Sequence, residues 1–334
     1  MGKDPQLAEP SMGELSMSFL SKCSTETMHS AASALKAGSL VAFPTETVYG
    51  LGADAENAEA VARIYEVKGR PHDHPLIIHI ASIDGLSDWA GELPDYAISL
   101  ARDFWPGPLT LVVNRGERAK DFVTGNQKTV GLRVPAHNIA LGLIQEFIKL
   151  GGKGIAAPSA NRFGAVSPTN AQAVEDELAE YLHVQDIILD GGQSLVGVES
   201  TIVDCTKETP FILRPGAITA EMIEESTGLV ALSKEDSEIR VSGSLDSHYS
   251  PKAKVVLDAI AEPGDGLIAP DQIPTPDGVI RLASPRTIEG YARDLYSALR
   301  SADAQGIEVV VVLQPGGEGL AAAIRDRLKR SAFE

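Results

Sequence analysis

Short apolar runs alternate with stretches of helical periodicity along this 334-residue chain, and that alternation restricts the fold more than any single motif does. Met28, Ala31, Ala32 and Leu35 recur at helical spacing, Gly38 follows as a stop, and Leu40 to Phe43 then reads as a buried strand. The pattern repeats with Val61, Ile64 and Tyr65 on one helix face and Leu76 to Ile80 as the next strand. Leu109 to Val113, Val130 to Val134, Ile155 to Ala157, Ile187 to Leu189 and Thr201 to Val203 extend the series, with a helix over 139–150. Strands and helices interleaved in this way predict an α/β sheet rather than a bundle or a sandwich.

From Leu229 to Ser250 the apolar rhythm gives way to Ser, Glu, Asp and Gly, a composition that buries little surface and suits an interdomain segment. Beyond it, Val255 to Leu257, Val279 to Leu282 and Val309 to Leu313 read as strands, with helices at Ile288 to Ala302 and Leu320 to Lys329. The expected organisation is a tail at 1–24, a large α/β unit at 25–228, a linker at 229–252 and a small Rossmann-like α/β unit at 253–334. With 43% apolar residues the chain has material for two cores.

Charge and cysteine content narrow the function. Lys and Arg number 29 against 46 Asp and Glu, so the formal charge is 29 − 46 = −17, which disfavours broad nucleic-acid binding. A local basic pocket remains compatible with it. Cys23 and Cys205, the two cysteines, stand in no pairing or zinc spacing, and reduced thiols suit a cytoplasmic protein. The first two dozen residues mix charges and prolines, without the apolar core of a signal peptide or membrane helix.

Several segments carry groups suited to ligand chemistry. Pro44-Thr45-Glu46-Thr47-Val48-Tyr49-Gly50-Leu51-Gly52 follows a strand, where open α/β sheets bind ligands, although its threonines could equally satisfy a tight turn. Lys68 and Arg70 flank Gly69 at the end of a helix, a pair that matches a polyphosphate or else complements the helix dipole. Ala157-Pro158-Ser159-Ala160-Asn161 offers Ser159 and Asn161 beside small residues, or simply caps a strand. His79 reads as a core histidine unless other groups join it. No Walker loop, nicotinamide fingerprint, kinase signature or nucleophile elbow occurs.

In order, PTETVYGLG at 44–52, KGRP at 68–71, PLIIH at 75–79, WPGPLT at 105–110, APSAN at 157–161, GVEST at 197–201 and LRPG at 213–216 resemble the YrdC-like family of threonylcarbamoyl-AMP synthases. The likeness spans 26–228, and the linker with the small C-terminal unit is similar to the long two-domain form. The resemblance implies a twisted open sheet with a large, positive concave cavity. It also implies a nucleotidyltransferase joining L-threonine, bicarbonate or CO2, and ATP into threonylcarbamoyl-AMP and pyrophosphate, for threonylcarbamoyladenosine formation in tRNA next to the anticodon. Carried onto this chain, it assigns Lys68, Arg70, His74, Thr129, Ser159, Asn161, Ser167 and Arg214 to ATP, with Lys68 and Arg70 also stabilising charge in the reaction. It assigns Thr47, His79, Arg133, Ala157 and Ser200 to L-threonine, and His248 and Tyr249 to a linker that acts as a lid.

The resemblance further implies Mg2+ arriving with ATP, no organic cofactor, no protein-held metal, no membrane, and transient contact with the machinery that transfers threonylcarbamoyl to tRNA. Two positions depart from the family pattern: His74 stands where Asn is common, and Asp246 where an aromatic is expected before His248. The competing expectation is a non-catalytic module for double-stranded RNA or tRNA. A carbamoyl-transfer protein of hydrogenase maturation is a third possibility, opposed by the lack of Cys-rich zinc modules.

Overall fold

The computed structural model describes residues 18–22, 24–233, 239–241, 243 and 249–333. Among these, two sheets organise the chain, one of eleven strands and one of four. The larger contains β1 (Leu20–Lys22), β2 (Val41–Phe43), β3 (Gly50–Asp54), β4 (Ile77–His79), β5 (Leu109–Asn114), β6 (Thr129–Arg133), β7 (Ile155–Ala156), β8 (Ile187–Asp190), β9 (Thr201–Asp204), β10 (Phe211–Arg214) and β11 (Leu232–Ser233). Their spatial order is β1-β8-β2-β3-β7-β4-β6-β5-β9-β10-β11, with parallel and antiparallel pairs mixed. The helices of this unit are α1 (Thr25–Lys36), α2 (Ala58–Lys68), α3 (Leu86–Trp89), α4 (Asp95–Phe104), α5 (Asp121–Thr124), α6 (Asn138–Lys149), α7 (Ala171–Leu178) and α8 (Ala220–Thr227).

Local chemistry sets the helix ends. Ser24 caps α1 by accepting from the Thr27 amide, and Asn57 caps α2 by accepting from Glu59 and Ala60. Helix α2 stops at Gly69, which takes the left-handed φ of 63° that side chains with a Cβ rarely adopt. The Arg162 guanidinium packs against this glycine, 2.8 Å from where a Cβ would stand, but it is the left-handed φ that makes the turn between Lys68 and Arg70 need glycine.

Period-two alternation divides the central strands between two environments. Ile78, Leu111, Val113, Val130, Leu132 and Val203 enter the main core. Ile77, Thr110, Val112, Thr129, Gly131 and Ile202 line a recess on the concave side.

The second sheet is wholly parallel, in the order β12 (Lys254–Leu257), β15 (Val309–Val312), β13 (Gly266–Ile268), β14 (Ile280–Ala283). Helices α9 (Ile288–Ala304) and α10 (Leu320–Ser331) complete this unit, and Val255, Ile268, Val310, Val312, Leu295, Leu299 and Ile324 form a core that Val48, Val166 and Val198 of the larger unit join.

Five strands escape the sequence pattern, among them β10 and its parallel partner β11, which lies inside the expected linker. Leu20–Lys22, inside the segment expected to be a loose tail, pairs in parallel with β8. Two apolar residues, Phe19 and Leu20, are too few to register as periodicity. The glycine-rich end of the PTETVYGLG segment, read as loop, is strand β3, buried throughout, and glycines there carry no strand propensity to signal it. Strand β13 is likewise too short to announce itself.

Candidate active site

The convergence begins with register. His79 on β4 lies beside Arg133 on β6, and Gly50 bridges to Ser159 across the sheet. Backbone bonds from Leu51 N to Pro158 O, Ala160 N to Tyr49 O and Tyr49 N to Pro168 O tie the first motif to the segment 157–168. The resulting recess is lined by Thr45, Thr47, His79, Arg133, Ala157, Ser159, Glu199, Ser200, Arg214 and Tyr249, among others. A second recess of roughly 300 Å³ adjoins it through Ile77 and carries Thr129. Tyr249 stands against the first of these adjoining hollows and Val241 against the second.

The polar lining is held by a closed set of bonds. Arg133 Nη2 donates to Glu46 Oε1 at 2.6 Å and to Thr47 Oγ1 at 2.9 Å, and its Nε donates to Gly107 O. Its Nη1 has no hydrogen-bond partner among the described residues, which leaves that arm open to an anion. Thr47 Oγ1 lies 2.8 Å from Thr45 Oγ1, which donates to Val48 O, so the two threonines satisfy the local turn and face the recess at once. Ser200 Oγ is 2.8 Å from Thr110 Oγ1 and accepts from Arg214, whose Nε and Nη2 also donate to Ser200 O. His79 is buried edge-on to Phe43, and burial, with Arg133 beside it, pulls its pKa down to about 3. A neutral imidazole therefore faces the recess at neutral pH.

Lys68 and Arg70 are not on the wall of either recess. Lys68 is almost fully buried, and its ammonium donates to Ser159 O at 2.7 Å and to Asn161 O. Burial, then the neighbouring Arg70, lowers its pKa well below the usual lysine value. Arg70 donates from Nη2 to Pro75 O at 2.9 Å, and burial lowers its pKa to about 10. Arg162 donates to Val67 O at 2.5 Å and Glu66 O at 3.3 Å, which binds the end of α2 to the loop carrying Asn161. Asn161 Nδ2 donates to Arg162 O and Ala165 O, while its buried Oδ1 has no partner among the described residues. Ser167 also sits away from the recess wall, its hydroxyl donating to Glu199 at 2.6 Å. His74 is half-buried, edge-on to Phe163, with its pKa lowered by burial and then by Arg70.

Of the two residues expected in a lid, Tyr249 is buried, at a left-handed φ of 62°, stacked 5.7 Å from Tyr296. His248 and Asp246 lie outside the described residues. An anchor the sequence did not signal precedes them: Arg240 exchanges backbone bonds of 2.9 Å with the Gln127 carboxamide and pairs with Asp73. Val241 packs with Val112 and Ile202. Glu46 and Glu199 also escaped notice as functional positions, although both stand inside the quoted motifs. Among the described residues no group of three or more His, Cys, Asp or Glu could hold a metal, and no helix is long and apolar enough to cross a membrane.

A mixed twisted sheet with cations and hydroxyls gathered on its concave side, and a parallel α/β unit joined to it, defines the class as a two-unit α/β protein with a YrdC-like sheet. The chain belongs to the Sua5–YciO–YrdC family, described as "Telomere recombination", which matches residues 33–216. Residues 218–333 match the family described as "Threonylcarbamoyl-AMP synthase, C-terminal domain". Threonylcarbamoyl-AMP synthase of Pyrococcus abyssi is 41% identical over 90% of this chain and 93% of its own, and that of Bacillus subtilis 39% identical over 90% and 92%. The crystal structure of P. abyssi Sua5 complexed with L-threonine superposes with a TM-score of 0.84 at 38% identity, covering 94% of this chain and 96% of that one.

Proposed function

We propose that this chain is a threonylcarbamoyl-AMP synthase, a nucleotidyltransferase that converts L-threonine, bicarbonate or CO2, and ATP into threonylcarbamoyl-AMP and pyrophosphate. The observation that carries this reading is the gathering of Arg133, Thr47, His79 and Ser200, from four separate segments, around one recess beside Ser159. Arg133 Nη1 would take the threonine carboxylate, and Thr47 and Ser200 its amine and hydroxyl. Because Glu46 already neutralises much of Arg133, the site would bind a zwitterion more readily than a bare anion. Neutral His79 would offer a hydrogen bond without adding charge.

Threonine's amine takes up CO2 to form a carbamate, whose oxygen attacks the α-phosphorus of ATP as the bond to pyrophosphate breaks. Lys68 and Arg70 would stabilise the phosphates, which requires Lys68 to exchange a carbonyl partner for a phosphate oxygen. Ser159, Asn161, Thr129, Ser167, Arg214 and His74 would shape the nucleotide side, the unpartnered Oδ1 of Asn161 being an acceptor awaiting a donor. Positioning and charge stabilisation can supply most of the rate enhancement without a covalent intermediate. Magnesium enters as part of the ATP substrate, held by phosphate oxygens and water.

The catalytic unit would comprise 25–228, the linker 229–252 and the C-terminal unit 253–334, in a cytoplasmic protein that passes its product to the machinery modifying tRNA. A pyrophosphate-release assay tests the activity. Release should require threonine, bicarbonate and ATP together, and release that persists without threonine would sink the reading.

A further inference from the structure

The GVEST segment contains a carboxylate that the reaction scheme does not use. Glu199 is buried, and its Oε1 accepts the Ser167 hydroxyl at 2.6 Å. Its Oε2 accepts Tyr296 OH from α9 and Arg327 Nε from α10, both at 2.9 Å. Two groups of the C-terminal unit thus meet, on one carboxylate, a hydroxyl of the nucleotide-side loop.

Arg327, itself fully buried, reaches further. Its Nη2 donates to Pro215 O at 2.9 Å, next to Arg214, and its guanidinium lies 5.5 Å from the Tyr249 ring centre. One side chain from the last helix therefore touches the segments that carry Ser200, Arg214 and the linker tyrosine. Ser331 Oγ, one turn later, donates to Tyr249 O at 2.8 Å.

The backbone shows the same fit. Gly197 has a φ of 80°, and a Cβ on it would stand 2.3 Å from Arg293 Cα in α9, so only glycine lets the helix lie this close to the motif. Burial would raise the Glu199 pKa, yet Arg327 and Arg214, with the bonds from Ser167 and Arg327, outweigh it and bring it to about 2. The carboxylate is ionised wherever the enzyme works.

We propose that Glu199 is a positioning residue through which Arg327 and Tyr296 of the C-terminal unit set the loops of the ATP site. This deepens the synthase reading and rests on it for the identity of the nucleotide. A buried ion pair contributes little net stability compared with apolar packing, but fixes the orientation of everything bonded to it. The C-terminal unit then acts as a part of the active-site frame rather than as an appended domain.

The test uses the full chain carrying Arg327→Met, and a second variant carrying Glu199→Gln with Arg327→Met, which removes both members of the pair together and keeps the proposal testable where the single change fails to fold. ATP affinity is measured by calorimetry, and amide exchange is followed over 165–168, 197–201 and 254–312. Because neither readout is turnover, failure here is separable from failure of the synthase reading. The expected result is an ATP affinity at least tenfold weaker and faster exchange at 165–168 and 197–201, while the four-stranded sheet keeps its protection. A folded double variant with wild-type ATP affinity and wild-type exchange in the two loops would overturn the proposal. So would a loss in which every segment exchanges faster to the same degree, since that is general destabilisation.

Discussion

Lys68 illustrates how far burial can alter a side chain that looks ordinary in sequence. Its ammonium is enclosed, faces Arg70, and rests on two backbone carbonyls, so its pKa lies well below the usual lysine value. An unfolded lysine keeps its proton up to about pH 10.4, so between the lowered pKa and that value the unfolded chain holds the extra proton. Stability contributed through Lys68 therefore rises with pH across that window. Triphosphate binding favours the ammonium and has the opposite sign, because the complex takes up protons and loses affinity as pH rises through the window. Calorimetry of ATP binding in two buffers of different ionisation enthalpy, carried upward in pH into that window, should show net proton uptake that grows with pH, and Lys68→Ala should abolish it. The same variant should lower turnover about a hundredfold, the scale of a lost charge-stabilising donor. Equal heats in both buffers for the native chain would refute the linkage.

At the scale of elements, one attachment of the linker, at Gln127 and Arg240, names a place to loosen it. The Gln127 carboxamide both donates to and accepts from the Arg240 backbone, while Arg240 pairs with Asp73 on the far side of the KGRP turn. Each neutral bond is worth about 1 kcal/mol, so Gln127→Ala should make opening of this segment easier by roughly 2 kcal/mol while leaving the recess around Arg133, which Gln127 does not line, unchanged. A lid that excludes water from a labile carbamate and mixed anhydride should then leak. The variant is expected to consume several ATP per product released, measured as the ratio of pyrophosphate to threonylcarbamoyl-AMP. An unchanged ratio would remove the lid from the scheme. Elements also show where pattern reading falls short: long helices such as α9 were legible, whereas β1, β3, β10, β11 and β13 were not. Strands of three to five residues are defined by their partners across the sheet, and pairing leaves little mark on the strand itself.

Over the whole molecule, the formal charge of −17 coexists with a recess edged by Arg133, Arg214 and His79. Long-range fields therefore repel a polyanion that a local pocket could still hold. On a filter, tRNA should be retained weakly at physiological salt and not compete with ATP for the protein. Tight retention would revive the non-catalytic RNA-binding alternative. The alternation of strand and helix determined the α/β class, because side-chain type and spacing are written locally along the chain, whereas Thr47, His79, Arg133 and Ser200 were named only through the family resemblance that the ordered motifs carry. Tertiary structure alone decided that Lys68 turns to carbonyls, that Glu46 neutralises Arg133, and that Arg327 reaches Glu199 across 128 residues. The reason is physical: the partner of a buried charge is chosen by which segments the sheets bring within about 3 Å, and no local property of either residue encodes that distance.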